Sequence, residues 1–103
     1  MMKQAKLNVG QLVHHKLFDY RGVVYDVDAE FQLSNEWYEM MAKSRPPKDE
    51  PWYRVLVDGS EQETYVAQCN LEPDESHLPI EHPYINQLFT HFTGERYLTG
   101  RIN

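Results

Sequence analysis

Apolar and polar positions alternate with period two in some stretches of the chain and follow a helical period in others. In residues 23–28, Val23, Tyr25 and Val27 share one set of alternate positions, and Asp26 and Asp28 fall between them. That is the pattern of a strand with one apolar face. Residues 9–15, Val-Gly-Gln-Leu-Val-His-His, read as a shorter strand before it, and residues 18–22 as the connection. Residues 52–58 return to period two with Tyr53, Val55 and Val57 on one face. Asp58-Gly59-Ser60 then predicts a turn into a hairpin partner over residues 64–67.

The helical period occupies two places. Leu33, Trp37, Met40 and Met41 stand at i, i+4, i+7 and i+8, which predicts an inserted helix over residues 33–42. Ser34 suits its N-cap, Glu36 and Glu39 suit its early dipole, and Arg45-Pro46-Pro47 ends it. Residues 43–51 read as a polar, mobile loop. Pro83 suits a first helical turn, after which Ile85, Leu88, Phe89 and Phe92 recur at i, i+3, i+4 and i+7 up to Gly94, predicting a terminal helix. Four or five short strands with two helices point to a mainly β protein. The expected architecture is a small, SH3-like, strongly bent and partly open barrel, since bending a small sheet toward closure removes exposed edges.

At 103 residues the chain has room for one domain, expected over residues 1–103. Its four Phe, two Trp and seven Tyr supply enough large rings for a packed core. No apolar run reaches the roughly 20 residues that span a bilayer. The N-terminal residues lack the apolar stretch of a signal peptide, and Cys69 has no second cysteine to pair with. A reducing cytoplasm and no membrane association are the corresponding expectations.

Charge changes the picture more. The net charge is −6, yet residues 1–25 hold Lys3, Lys6, Lys16 and Arg21 against Asp19 alone, a local +3 that leaves −9 for the remaining 78 residues. Phosphate neutralisation supplies most sequence-independent DNA affinity, so a nucleic-acid surface would have to be local and built on the first two strands. His14, Lys16 and Arg21 are its candidate residues, with Lys16 suited to phosphate and Arg21 to phosphate or a base edge.

A catalytic constellation is not legible. The chain has no glycine-rich phosphate loop, no Gly-x-Ser-x-Gly elbow and no His-Glu-x-x-His helix. Cys69 lacks an obvious neighbouring base and reads as a buried or half-buried structural thiol. His14 and His15 are adjacent on a strand and point to opposite faces, so they cannot chelate one metal together. His82 precedes Pro83 and suits a turn or helix start, while His91 stands nine residues away. No four-ligand metal set is visible, so no metal and no cofactor are expected. Asp26 and Asp28 could in principle hold Mg²⁺ or serve as an acid/base pair, but solvated carboxylates are the usual occupants of a strand beside a loop. Among the aromatic pairs, Trp37 and Tyr53 read as core. Tyr38 and Trp52 remain open, with exposed rings able to anchor a protein partner.

Several blocks also agree in order and spacing with a known family. Val9-Gly10-Gln11 through His14, Tyr20-Arg21-Gly22-Val23-Val24, Asp26-Val27-Asp28, Pro51-Trp52-Tyr53-Arg54-Val55-Leu56-Val57, Thr64-Tyr65-Val66-Ala67-Gln68, Asn70-Leu71-Glu72-Pro73 and His82-Pro83 resemble the YccV-like hemimethylated DNA-binding domain family, which includes the heat-shock protein HspQ. The resemblance covers about residues 7–92. It implies a small β-barrel without catalytic residues that binds hemimethylated origin DNA and limits replication initiation. It further implies links to the stress response and to degradation of denatured proteins, including the initiator DnaA, through the Lon protease. The same domain ends larger eukaryotic proteins such as F-box proteins, as an interaction module would. Cys69 departs from the pattern, since many relatives carry an acidic residue there.

Two functions follow as expectations. One is a non-enzymatic binder of hemimethylated DNA. The other is a protein-interaction adaptor or modulator of Lon with no direct DNA contact, favoured by net acidity. The adaptor reading further expects an exposed apolar patch of a few hundred Å², suited to self-association into a homo-oligomer.

Overall fold

The computed structural model describes residues 3–100, so residues 1–2 and 101–103 of the expected domain lie outside the described residues. The protein is mainly β. Strands β1 (Leu12–His15), β2 (Arg21–Asp28), β3 (Trp52–Val57), β4 (Glu63–Ala67) and β5 (Leu71–Pro73) form one antiparallel sheet in the order β4-β3-β2-β1-β5. Helix α1 (Asn35–Met41) is inserted between β2 and β3. A short helix α2 (Ile85–Leu88) and a hairpin of β6 (His91–Phe92) and β7 (Tyr97–Leu98) complete the chain.

The topology itself requires a bend. β4 and β5 are opposite edges of a five-stranded sheet, which would stand roughly 19 Å apart if it were flat. Only the 3-10 turn Gln68–Asn70 joins them, and a three-residue turn at about 2 Å per residue cannot bridge that gap. The sheet therefore curls, and with no ladder between its edge strands it is the partly open barrel expected from the sequence.

The alternation read in residues 23–28 breaks at a bulge. Register shifts between Val24 and Asp26, leaving Tyr25 opposite no β3 residue. Val24 and Val27 consequently face the barrel interior with Leu7, Val13, Tyr53, Val55, Val66 and Leu71. Val23 faces the opposite side and packs with Leu12, Leu56, Ile80, Phe89 and Tyr97. Both sheet faces are thus covered along part of β2. The expected single apolar face of Val23, Tyr25 and Val27 is corrected accordingly.

Helix α1 starts where the sequence placed it. Ser34 is its N-cap, and its hydroxyl oxygen accepts from the Trp37 N–H at 3.0 Å. Its buried face is rotated from the expected stripe: Tyr38 and Ala42 are buried, Trp37 is half-buried, and Met40 and Met41 are 68% and 59% exposed. Tyr38 packs with Trp52, Tyr65 and Ala67 on the outer sheet face, and Phe31, Leu33 and Trp37 lie against that cluster. The loop after α1 is pinned as well. Tyr38 Oη donates to Pro46 O, Trp52 Nε1 donates to Pro47 O, and Lys48 Nζ lies 4.4 Å from the Tyr38 ring centroid.

The expected terminal helix is mostly a hairpin. Phe89 takes extended geometry at the end of α2, and the Thr90 N–H then donates to Leu98 O at 2.8 Å. Threonines at 90 and 93 lose rotamer freedom in a helix. Tertiary pairing decides the rest, because Tyr97 N–H donates to Gly10 O and Arg96 bridges Gln11. Gly10 also explains why β1 begins at Leu12 rather than residue 9: it has a positive φ of 90°, and a Cβ there would stand 2.0 Å from Tyr97 O.

Candidate functional site

The three DNA-facing candidates lie close together on β1, β2 and the loop between them, but two of the three are already engaged by carboxylates. His14 and Arg21 are opposite each other in the β1–β2 register. His14 Nε2 stands 2.6 Å from Asp19 Oδ1, and its Nδ1 stands 2.8 Å from Glu72 Oε2. Hydrogen bonding to Asp19, then to Glu72, raises the imidazole pKa above the usual histidine value. Arg21 uses its whole fork: Nε donates to Asp74 at 2.9 Å, Nη1 to Asp58 at 2.9 Å and Nη2 to Leu78 O at 2.6 Å. Burial pushes the Asp74 carboxyl up, but hydrogen bonds from Ser76 and Arg21 together with the Arg21 charge outweigh it and hold the pKa below the ordinary range. Lys16 differs from both, being exposed and in no ion pair among the described residues. The local positive charge is therefore interleaved with Asp19, Asp58, Glu72 and Asp74, and the patch is not a continuous cationic face.

His15 points inward and is buried, with 4% exposure. Its Nδ1 accepts from the Leu17 and Phe18 N–H groups at 3.1 and 3.0 Å, which requires that nitrogen to be unprotonated. Desolvation, helped by neighbouring His14, lowers its pKa. The Phe18 ring stacks on the His15 imidazole at 4.6 Å yet remains 68% exposed. Adjacent histidines thus do opposite work: one binds carboxylates outside the barrel, and the other holds the β1–β2 loop from within.

Tyr38 and Trp52, left open by the sequence as rings that could anchor a partner, are both buried, which corrects that candidacy. Trp52 is 1% and Tyr38 7% exposed, because α1 and the loop after it close over them. The exposed apolar side chains are Leu17, Phe18, Met40, Met41, Leu78, Tyr84 and Leu88. Nothing in the local residue pattern announces Leu17 and Phe18, since exposure there depends on the turn that His15 holds. Three of the seven, Leu17, Phe18 and Met41, line a groove of about 650 Å³ that runs along β4, with Trp37 and Arg54 also in its wall.

The remaining candidates have structural partners. Cys69 is exposed rather than buried or half-buried as expected, but local desolvation and the Glu50 carboxylate push its thiol up to about 11, so it is not an activated nucleophile. His82 Nδ1 accepts from the Tyr84 N–H, and its Nε2 lies 3.0 Å from Gln62 O, the helix-start role expected of it. Asp28 accepts from Tyr65 Oη at 2.6 Å, and both Asp26 and Asp28 lie within 4.0 Å of Arg54. No group of three or more potential metal ligands occurs among the described residues.

A family model described as hemimethylated DNA-binding protein YccV like matches residues 5–96. That match spans nearly all of the chain. The chain belongs to the YccV-like family. For a YccV-like domain, the model's boundaries agree with the structure: the match begins just before Leu7 enters the barrel core and takes in the 3-10 turn, β5 and α2. It ends at Arg96, the residue that bridges back to Gln11. Family membership connects this YccV-like chain to hemimethylated DNA binding at the level of the family. No helix among the described residues is long and apolar enough to cross a membrane.

Proposed function

We propose that the chain is a non-enzymatic domain that binds hemimethylated DNA and through it takes part in control of replication initiation. The observation that carries this reading is membership of the YccV-like family across residues 5–96. Lys16 is the residue proposed to contact phosphate directly, being the unpaired cation of the β1–β2 region. His14 and Arg21 would act chiefly by fixing the edges of that region. The test is equilibrium binding of the full chain to two duplexes of one sequence, one hemimethylated and one unmethylated. A preference of about tenfold, or 1.4 kcal/mol, supports the reading. Equal affinity overturns it.

A second reading is an adaptor or modulator of the Lon protease in the degradation of denatured proteins, without direct DNA binding. The acids interleaved with His14 and Arg21, and the open groove flanked by exposed apolar side chains, favour it. Purified Lon and the purified chain should then associate in a pull-down, and Phe18→Ala should weaken that association. Loss of DNA binding with retained Lon association would favour this second reading over the first.

A further inference from the structure

The 3-10 turn Gln68–Asn70 joins the two edge strands of the sheet, and three segments remote from one another in sequence meet on it. From the N-terminal segment, the Lys6 N–H donates to Gln68 Oε1 at 2.8 Å. From the end of β1, the Lys16 N–H donates to Asn70 O at 2.9 Å. Beyond α1, Ser44 Oγ accepts from Asn70 Nδ2 at 3.3 Å, which brings the neighbouring Lys43 to the same turn. Lys6, Lys16 and Lys43 are all exposed, and none of them makes an ion pair among the described residues. Lys3, Arg21, Arg45 and Arg54, by contrast, are each paired with a carboxylate.

The carboxylates near the turn do not cancel these lysines. Glu50 is buried and engaged: its Oε2 accepts from the Cys69 N–H at 3.0 Å, and its Oε1 lies 3.7 Å from Lys3 Nζ. Asp49, the next residue along, is exposed. Counted together, Lys3, Lys6, Lys16 and Lys43 against Asp49 and Glu50 leave +2 around the turn of a chain whose net charge is −6. Asp19 and Glu72 lie on the far side of Lys16, and both are held by His14. Burial and Glu50 push the Cys69 thiol up to about 11, while the Lys16 charge draws it partly back. The centre of the turn is therefore neutral, with Lys16 near it.

We infer that the phosphate backbone of DNA crosses the domain at the turn 68–70, with Lys6, Lys16 and Lys43 each meeting a phosphate. Three separately rooted, solvated ammonium groups on flexible stems suit an extended polyanion whose charges recur closely along each strand. Such contacts position the duplex and carry no sequence information, so this face supplies affinity and leaves the choice between methylation states to other contacts. The placement rests on the DNA-binding reading and deepens it. Two of its three lysines lie outside the β1–β2 region, where His14 and Arg21 are neutralised by acids.

The test uses the full chain with hemimethylated and unmethylated duplexes of one sequence. Three phosphate contacts predict a slope of log affinity against log salt of about −2.7, and Lys6→Gln, Lys16→Gln and Lys43→Gln should each reduce its magnitude by about 0.9. Each should weaken both duplexes alike and leave their ratio unchanged. Arg96→Gln, an exposed cation on the β6–β7 hairpin, should have a much smaller effect. Cys69 is the chain's one cysteine and stands on the turn, so its alkylation by N-ethylmaleimide should slow in saturating duplex. An unchanged slope in two or more of the lysine variants, an equal effect of Arg96→Gln, or an unchanged alkylation rate would each overturn the proposal. Polyglutamate that slows alkylation as well as duplex does at equal charge would assign the turn to acidic protein segments and also overturn it. Equal affinity for the two duplexes, with the lysine effects and Cys69 protection intact, would remove the methylation reading and leave this face standing. A retained preference with silent lysine variants would do the reverse.

Discussion

Replacing Arg21 with alanine separates a structural role from a DNA contact. Its guanidinium makes three charge-assisted hydrogen bonds, to Asp74, Asp58 and Leu78 O, at 2.6–2.9 Å. Such bonds are worth roughly 1.5–3 kcal/mol each when well desolvated. The side chains of Arg21, Asp58 and Asp74 are 21%, 27% and 12% exposed, so solvent screening discounts each bond. A loss of about 2–3 kcal/mol follows for Arg21→Ala, since Asp58 and Asp74 lose their countercharge and the segment at Leu78 loses its tether. For a domain of this length that lowers Tm by roughly 10–20 °C. Arg21→Lys keeps the charge but cannot reproduce the fork, and should lose about half as much. Urea denaturation of the three proteins measures this directly. A stability change under about 0.5 kcal/mol for Arg21→Ala, paired with a shallower salt dependence of DNA binding, would refute the structural assignment and return Arg21 to the phosphate surface.

Other outcomes follow from the same contacts. In an NMR titration His14 should titrate above 6.5 and His15 below it. The carboxylate contacts of His14 therefore stabilise the fold below its unfolded pKa and fade as pH rises through the raised value, whereas the loop contacts of His15 are present above its unfolded pKa and fade as pH falls through the lowered one. Acidification should accordingly shift the Leu17 and Phe18 amides, and constant amides through the His15 transition would contradict the assignment. Gly10→Ala should cost more than about 2 kcal/mol, because its Cβ would collide with the Tyr97 carbonyl at a positive φ, and denaturant unfolding checks it. Cys69, though exposed, should react with iodoacetamide at pH 8 more slowly than free cysteine, given a thiol pushed up to about 11. A rate equal to that of free cysteine would contradict that environment.

Much of the framework is legible in the residues. The Ser34 cap, the β3–β4 hairpin and the His82 helix start all depend on local chemistry, which sequence carries directly. What escaped depends on distant partners. The β2 bulge rotates Val23 and Val27 to opposite faces, and nothing within residues 23–28 announces it. Phe89 and Phe92 satisfy a helical period, yet Thr90 and Tyr97 find backbone partners at Leu98 and Gly10, and pairing overrides period. β5 is only three residues long and ends in proline, too short for a periodic signal. At the candidate site the cations were visible but their partners were not: Asp58, Asp74 and Glu72 reach Arg21 and His14 across 37, 53 and 58 positions of sequence. A count of charges over residues 1–25 therefore overstated the free positive surface.

The measurement that tests the central claim most directly is fluorescence anisotropy of the full chain with hemimethylated, fully methylated and unmethylated duplexes of one sequence, at salt from about 50 to 200 mM. The account predicts tightest binding to the hemimethylated duplex by about tenfold. It also predicts a shallow salt slope, on the order of −3 or less in magnitude, because few cations in the β1–β2 region are free to release counterions. Indistinguishable affinities for the three duplexes would contradict methylation-selective binding, and a slope steeper than about −6 would contradict the neutralised surface described for His14 and Arg21.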